Sequence, residues 1–176
     1  MENQLKKLLT FKIKLLILLL VSLFFITSCS NKILKRNHNY KISYIGGEFK
    51  GLYFSNHLKN MLVSNNFYND SSYFTINASI EHGGEIYITN VDNTSDRERI
   101  KSSVNISIYD ELNKCFVLRY DESISQFYVI VSSKFFESNN FAKEEIQEQN
   151  TEILIDLFIN KLISYEDKEL KCIENG

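Results

Sequence analysis

The ten residues Tyr73–His82, which read YFTINASIEH, decide the fold class because apolar and polar side chains alternate along them. The apolar members would share one face of a β-strand, and they are Phe74, Ile76, Ala78 and Ile80. The intervening Thr, Asn and Ser side chains would face water. A strand with one buried and one wet face is typical of an antiparallel sheet.

Two other stretches show the same period of two: Tyr40–Ile45, with Tyr40, Ile42 and Tyr44 on one face, and Ile100–Tyr109, with Val104, Ile106 and Ile108 inward. Cys115–Gln126 is predicted to return beside Ile100–Tyr109 as the next strand. The polar residues 110–114 between the last two predict a hairpin turn. Glu85–Val91 either continues the strand beyond Gly83-Gly84, which we interpret as a turn or bulge, or begins a short hairpin. The charged run Asp92–Arg99 is interpreted as a mobile loop.

Two stretches have helical spacing instead. Gly51–Ser64 carries a predicted buried stripe of Phe54, Leu58, Met61 and Leu62, and Gly46-Gly47 precedes it as a turn. A second helix is predicted to begin at Phe141 or Ala142, with many Glu residues near its start, as the helix dipole favours. Its expected buried stripe is Ile146, Ile153, Leu154, Leu157, Phe158 and Leu162.

The predicted element order is therefore β-α-β-β-β-α over residues 40–165. This order favours an α+β fold, a two-layer sandwich in which two helices cover one face of a sheet of about four mostly antiparallel strands. The first helix is long enough to serve as a crossover, so the first strand can pair in parallel with a later strand.

The N-terminal residues 1–28 have the composition of a secretory signal peptide. Four lysines precede an apolar run from Leu15 to Ile26, which is shorter than a membrane-spanning helix requires. Ile26-Thr27-Ser28-Cys29 then resembles a bacterial lipobox, which implies cleavage before Cys29 and acylation of its sulfur and amine. The alternative is an uncleaved membrane helix. We expect residues 29–39 to be a tether, residues 40–165 the domain and residues 166–176 a polar tail.

Charge argues against a nucleic-acid partner. Removal of residues 1–28 takes away four of the 20 basic residues and one of the 22 acidic residues, which leaves 16 − 21 = −5. A nucleic-acid-binding domain would need a basic face.

The reactive side chains give little sign of catalysis or of a cofactor. Cys115 and Cys172 can form a disulfide in an oxidising compartment, but their positions, at a strand start and in a polar tail, favour two unpaired thiols. His38, His57 and His82 lack the spacing of metal ligands, and His82 is expected to be an exposed histidine at a strand end. Motifs of hydrolases and of phosphate-binding loops are missing from the sequence. We therefore expect neither an enzyme nor a bound metal or cofactor.

Two groups of residues are candidates for binding. Arg97, Arg99 and Lys101 form the densest basic cluster and could bind lipid phosphates, unless Asp96 and Glu98 neutralise them in a solvated loop. Tyr128, Phe135 and Phe136 are candidates for a partner interface, because aromatic side chains are enriched in interface cores. Phe127 to Val131 and Phe141 belong to the same candidate surface. The alternative is that Phe127, Val129 and Val131 continue the fourth strand into the core, and we favour it for Val129 and Val131.

The chain from about Tyr40 to Tyr165 resembles the LPS-assembly lipoprotein LptE family. The resemblance rests on the lipobox, the tether, the element order and these stretches: Ile42–Ile45, Leu58–Leu62, Phe74–Ile80, Thr94–Ile100, Val104–Asp110, Phe127-Tyr128 and the Glu-rich final helix. The chain departs from the family's usual composition in being rich in aromatic residues and Asn and in having no proline. The basic residues of some relatives proposed to bind LPS do not map cleanly, so no LPS-contact residue is transferred.

The resemblance implies a component of an assembly rather than an enzyme. Members of the family plug the LptD outer-membrane β-barrel, help it fold and can bind LPS. Ser30 after the lipidated cysteine, in place of Asp, implies the outer membrane, with the domain facing the periplasm. The alternative function is a periplasm-facing lipoprotein that binds another lipid or amphiphile without a barrel partner.

Overall fold

The computed structural model describes Lys12 and residues 36–88, 95–130 and 136–173. The cleavage site, Cys29 and most of the predicted signal peptide and tether lie outside the described residues. Residues from Lys35 onward form one compact unit. No helix among the described residues has both the length and the apolar character needed to cross a bilayer.

The elements follow the predicted order. They are β1 (Tyr40–Gly46), α1 (Glu48–Ser64), β2 (Phe74–Ile88), β3 (Ser95–Asp110), β4 (Cys115–Val129) and α2 (Phe136–Tyr165). The strands lie in the order β1-β2-β3-β4 in one sheet. β1 is parallel to β2 because α1 crosses over between them, while β2, β3 and β4 are successively antiparallel. The predicted two-layer α+β sandwich is therefore confirmed.

The core lies between the two helices and one face of the sheet. The residues of β2 and β3 that were predicted to face the core do so, since Ile76 and Ile108 are fully buried and Ala78 is 5% exposed. From α1 the core takes Phe54, Leu58 and Leu62, as predicted. At the start of α1, Gly47 has a φ of 114°, and a Cβ atom there would lie 2.7 Å from the Ile80 carbonyl oxygen, so a side chain would be strained and obstructed.

β2 and β3 are longer than predicted, and this corrects two predictions. Gly83-Gly84 is neither turn nor bulge, because both residues continue β2 and pair in register with Lys101 and Ile100. Residues 95–99 are not part of a loop but begin β3. The charged and polar residues were mistaken for a loop because every second one lies on the face of the sheet that the helices leave uncovered.

Several predicted buried positions are exposed. Tyr44 is 67% exposed because the register of β1 shifts between Ile42 and Tyr44, which turns Ile45 toward the core instead. In α2, Ile153 and Leu157 are 37% and 43% exposed. Their predicted places in the core are taken by Ile155 and Ile159, because the sheet and α1 contact α2 from different directions. β4 does continue past Gln126, but Phe127 and Val129 point away from the core.

A disulfide joins Cys115 to Cys172, so the expectation of two unpaired thiols is wrong. The tail after α2 returns to the start of β4, where the Ile173 N–H donates to the Phe116 carbonyl oxygen at 2.7 Å. Residues before β1 also contact this tail, since Asn37 Nδ2 donates to the Glu166 carbonyl oxygen at 3.0 Å. Sequence spacing gave no sign of this pairing because 57 residues separate the two cysteines.

Candidate functional site

The second face of the sheet is the candidate site, because neither α1 nor α2 covers it within the described residues. Small polar side chains from three strands lie side by side there, in rows set by the strand register. One row joins Ser79, Asn105 and Asp121, and the next joins Glu81, Ser103 and Ser123. The serines of these rows leave a shallow depression of about 430 Å³ over the middle of the sheet, which Glu81, Asp121 and Lys101 also line.

The predicted basic residues Arg97, Arg99 and Lys101 lie on this face. They occupy alternate positions of β3, so their side chains project in the same direction at intervals of about 6.6 Å. Arg99 Nη2 lies 2.7 Å from Glu85 Oε2 of the opposed position on β2. Lys101 is exposed and lines the depression. β3 therefore holds all three residues of the cluster, including Arg97 and Arg99, which were predicted to lie on a mobile loop.

Glu98 does not neutralise the cluster, because strand parity places it on the helix face. Its side chain is 11% exposed and accepts hydrogen bonds from Tyr128 Oη at 2.5 Å and from Lys143 Nζ at 3.0 Å. Burial would raise the pKa of Glu98, but these two hydrogen bonds and the charge of Lys143 outweigh it and hold the pKa below its usual value. Glu98 is therefore paired on the helix face, and the acidic residue that contacts the cluster on the uncovered face is Glu85, through Arg99.

The aromatic candidates are distributed differently from the prediction. Tyr128 faces the helix layer, and burial together with the hydrogen bond to Glu98 raises its pKa to about 12. Its hydroxyl is therefore used inside the domain rather than offered to a partner. Phe135 lies outside the described residues, and Phe136 begins α2 with a side chain that is not described.

The sequence left open whether Phe127 is a surface residue or a core residue. It is 54% exposed on the uncovered face and lies opposite Arg99 in the β3–β4 register. The signal was available in the parity of β4, because Phe127 follows Asp121, Ser123 and Ser125 at steps of two. An aromatic ring beside a guanidinium group gives this end of the face a mixed apolar and cationic character.

His82 is half-buried within β2 rather than exposed at a strand end, which corrects that prediction. Its Nδ1 lies 2.7 Å from Ser102 Oγ, to which the fully buried Asn150 of α2 donates through Nδ2 at 3.0 Å. Burial, with a smaller contribution from the charge of Lys50, lowers the pKa of His82 to about 4. In the part of the chain that the structure describes, His, Cys, Asp and Glu residues do not gather in groups of three that could hold a metal ion.

No protein-family model and no curated protein sequence matches the chain. Several solved bacterial lipoproteins nevertheless have a similar fold. Lipoprotein B from Nitrosomonas europaea superposes with a TM-score of 0.57 at 11% identity, over 77% of this chain and 87% of that chain. A minor lipoprotein from Acinetobacter baumannii gives 0.54 at 12% identity, over 72% and 93% of the two chains.

Rare lipoprotein B from Shewanella oneidensis gives a TM-score of 0.53 at 9% identity, over 73% of this chain and 99% of that chain. The superposed part is nearly the whole of each relative, so the similarity extends over a complete domain rather than over one shared motif. At these identities it concerns the fold. This chain therefore has the sandwich fold found in this group of bacterial lipoproteins.

Proposed function

We propose that the protein is a lipid-anchored lipoprotein of the bacterial outer membrane that faces the periplasm and acts as plug and assembly partner of an LptD-type β-barrel in LPS transport. Two independent features support the anchor: the sequence Ile26-Thr27-Ser28-Cys29 and the sandwich shared with solved lipoproteins, rare lipoprotein B among them. The barrel partner is inferred from the resemblance to the LptE family.

The observation that carries the proposal is the row of Arg97, Arg99 and Lys101 on an uncovered sheet face. Cations at alternate positions of one strand suit an anionic glycolipid, because the strand places them without the ordering of a loop, and Arg99 among them also pairs with Glu85. Phe127 beside Arg99 adds apolar surface for the part of such a ligand that is not charged. The role needs no chemical step, and we propose that the protein is not an enzyme.

The test of the partner is co-purification of the full chain through a C-terminal affinity tag after detergent extraction. We expect a large outer-membrane β-barrel in the eluate of the wild type. Cys29→Ala should lose incorporation of a clickable fatty acid and remain an uncleaved precursor. Equal fatty-acid labelling of the two proteins would contradict the anchor, and an eluate without a barrel would contradict the barrel partner.

The test of the lipid site uses Arg97→Ser, Lys101→Ser and the two together. Arg99 is left in place because it contacts Glu85. Binding of a phosphorylated glycolipid should weaken in the double variant, and the loss should be greatest at low salt, where exposed charges are least screened. Lys114→Ser, in the turn before β4, is the matched control because it removes one exposed lysine elsewhere.

The second candidate is a periplasm-facing lipoprotein that holds another lipid or amphiphile and has no barrel partner. The same exposed Phe127 and cationic row would serve it. Lipid binding that depends on Arg97 and Lys101, without barrel co-purification, would favour this alternative. Binding that is unchanged in the double variant would contradict both forms of the lipid site.

A further inference from the structure

The chain enters the domain at one end of the sandwich. Arg36 lies beside the C-terminal end of α1, where its Nε donates to the Asn65 carbonyl oxygen at 3.0 Å. The β3–β4 turn lies at the same end, because Phe74 of β2 is paired with Tyr40 on one side and with Asp110 on the other. We name this the anchor end, and it comprises residues 36–39, 66–73, 110–114 and 166–173.

The length of the tether keeps the anchor end near the membrane. This argument rests on the lipid anchor at Cys29, which is part of the proposed function, and does not involve the barrel partner. Arg36 follows Cys29 by seven residues (36 − 29 = 7), a stretch that spans at most roughly 25 Å when fully extended. β2 alone continues for twelve residues from Phe74 to Ile86 (86 − 74 = 12), which is about 40 Å of strand. The anchor end is therefore the part of the domain that the anchor holds closest to the bilayer.

The β3–β4 turn presents an aliphatic side chain in a fixed position. Asp110, which is 3% exposed, accepts hydrogen bonds through Oδ1 from the backbone N–H groups of Leu112 at 2.9 Å and Asn113 at 3.1 Å. Its Oδ2 accepts a third hydrogen bond from Asn113 Nδ2 at 2.7 Å. Leu112 is nevertheless 71% exposed. Single exposed aliphatic residues are common on protein surfaces, but Leu112 is held outward by a closed turn at the end of the domain nearest the anchor.

Tyr73 connects this aliphatic tip to neutral polar groups. Its carbonyl oxygen accepts a hydrogen bond from the Glu111 N–H at 3.0 Å, and its side chain is 45% exposed. Tyr73 also borders a hollow of about 270 Å³ that Asn37, Asn69 and Ser71 help to line, and every residue lining this hollow has a neutral side chain. A tyrosine between an aliphatic tip and neutral hydrogen-bonding groups matches the surface of a bilayer, where acyl chains give way to headgroups and tyrosine is enriched.

We propose that the anchor end docks on the surface of a phospholipid bilayer, with Leu112 at the boundary between headgroups and acyl chains and Tyr73 among the headgroups. One leucine and one tyrosine would bind a free protein to a membrane only weakly. The acyl anchor makes the docking intramolecular, so a small apolar surface acts at a high effective concentration. Docking at this end also sets the orientation of the domain, because β2 and β3 then run away from the membrane and carry Arg97 to the far end.

The test uses tryptophan fluorescence, because the sequence contains no Trp and one introduced Trp reports on a single position. The full acylated chain is reconstituted in vesicles of phosphatidylethanolamine and phosphatidylglycerol whose acyl chains carry bromine, a short-range quencher. Emission of Leu112→Trp should be quenched about twofold or more relative to vesicles without bromine, since the ring would lie at the headgroup–acyl boundary. Ile86→Trp is the matched control, because Ile86 is an aliphatic residue of 64% exposure at the other end of β2, and its emission should be nearly unchanged.

A second reporter keeps the test independent of the Leu112 substitution. Tyr73→Trp should also be quenched by the brominated chains. Adding Leu112→Asp to this reporter should remove most of the quenching, because a carboxylate is costly to bury beneath the headgroups. Adding Ile86→Asp instead should leave the quenching unchanged.

Flotation of the protein with the vesicles reports separately on the anchor. A protein that floats, but in which Leu112→Trp and Tyr73→Trp are quenched no more than Ile86→Trp, would overturn the docking and leave the anchor intact. A protein that neither floats nor incorporates fatty acid would contradict the anchor, and the docking with it.

Discussion

Gly84 of β2 lies so close to Glu98 of β3 that a Cβ atom on Gly84 would be 2.2 Å from Glu98 Oε1. The missing side chain makes room for the carboxylate, which Tyr128 of β4 and Lys143 of α2 hold by hydrogen bonds. Four elements of the sandwich therefore meet at one buried charge. Because the carboxylate is paired and its hydrogen bonds are made, this position tolerates an ionised group inside the helix–sheet interface.

Gly84→Ala should destabilise the domain by about 1–3 kcal/mol, because the new methyl group must displace the Glu98 carboxylate from its partners. Chemical denaturation monitored by circular dichroism would measure the change. Gly83→Ala is the control, because a Cβ atom on Gly83 meets no atom within 4 Å, and it should be neutral or slightly stabilising. Equal effects of the two substitutions would show that the Glu98 carboxylate is not fixed there.

Loss of the disulfide should destabilise the domain by about 2–4 kcal/mol, since the bond closes a loop of 57 residues and ties the tail to β4. The measurement is thermal unfolding of the wild type and of the double variant Cys115→Ser, Cys172→Ser, each with and without a reductant. The reductant should lower the melting temperature of the wild type toward that of the variant and leave the variant unchanged. A wild type that is insensitive to complete reduction would argue against the prediction.

Ile106→Ala and Leu154→Ala should each cost about 2–4 kcal/mol, because both side chains are fully enclosed between the sheet and α2. Leu157→Ala should cost less than about 1 kcal/mol, because 43% of Leu157 is exposed. The apolar spacing alone would predict the same loss of stability for Leu157→Ala as for Ile106→Ala. Urea unfolding distinguishes the two expectations, and a Leu157 variant as unstable as the Ile106 variant would contradict the exposure of Leu157.

Stability should fall as the pH drops from about 6.5 toward 4, because His82 favours the neutral form in the folded state. Its pKa falls to about 4 from an ordinary value of 6.5, so the unfolded chain binds more protons in this range. Glu98, with its lowered pKa, adds a further loss only at lower pH, below the ordinary value of 4.5. Melting temperatures of the wild type and His82→Gln between pH 7 and 4 would check this, and equal slopes for the two proteins would count against His82.

The amino-acid sequence by itself determined the order of the elements and the architecture. The period of two in Tyr73–His82 and Ile100–Tyr109 follows from the alternation of side chains along a strand, and the period near 3.6 in Gly51–Ser64 follows from helix geometry. These periods are local, so they are visible without a partner element. The charge balance and the residues around Cys29 are local in the same sense.

Tertiary structure decided which element packs against each face of the helices and of the sheet. Ile153 and Leu157 have the same apolar character as Ile155 and Ile159, and only the positions of α1 and the sheet place the second pair inside and leave the first pair out. Arg97 and Arg99 could not be recognised as strand residues, because an uncovered sheet face accepts the same polar side chains as a loop. The pairing of Cys115 with Cys172 depends on where the tail returns, which no local pattern records. Long-range packing is set by the whole chain at once, and this is the physical reason why the sequence pattern predicted the sandwich but not its surfaces.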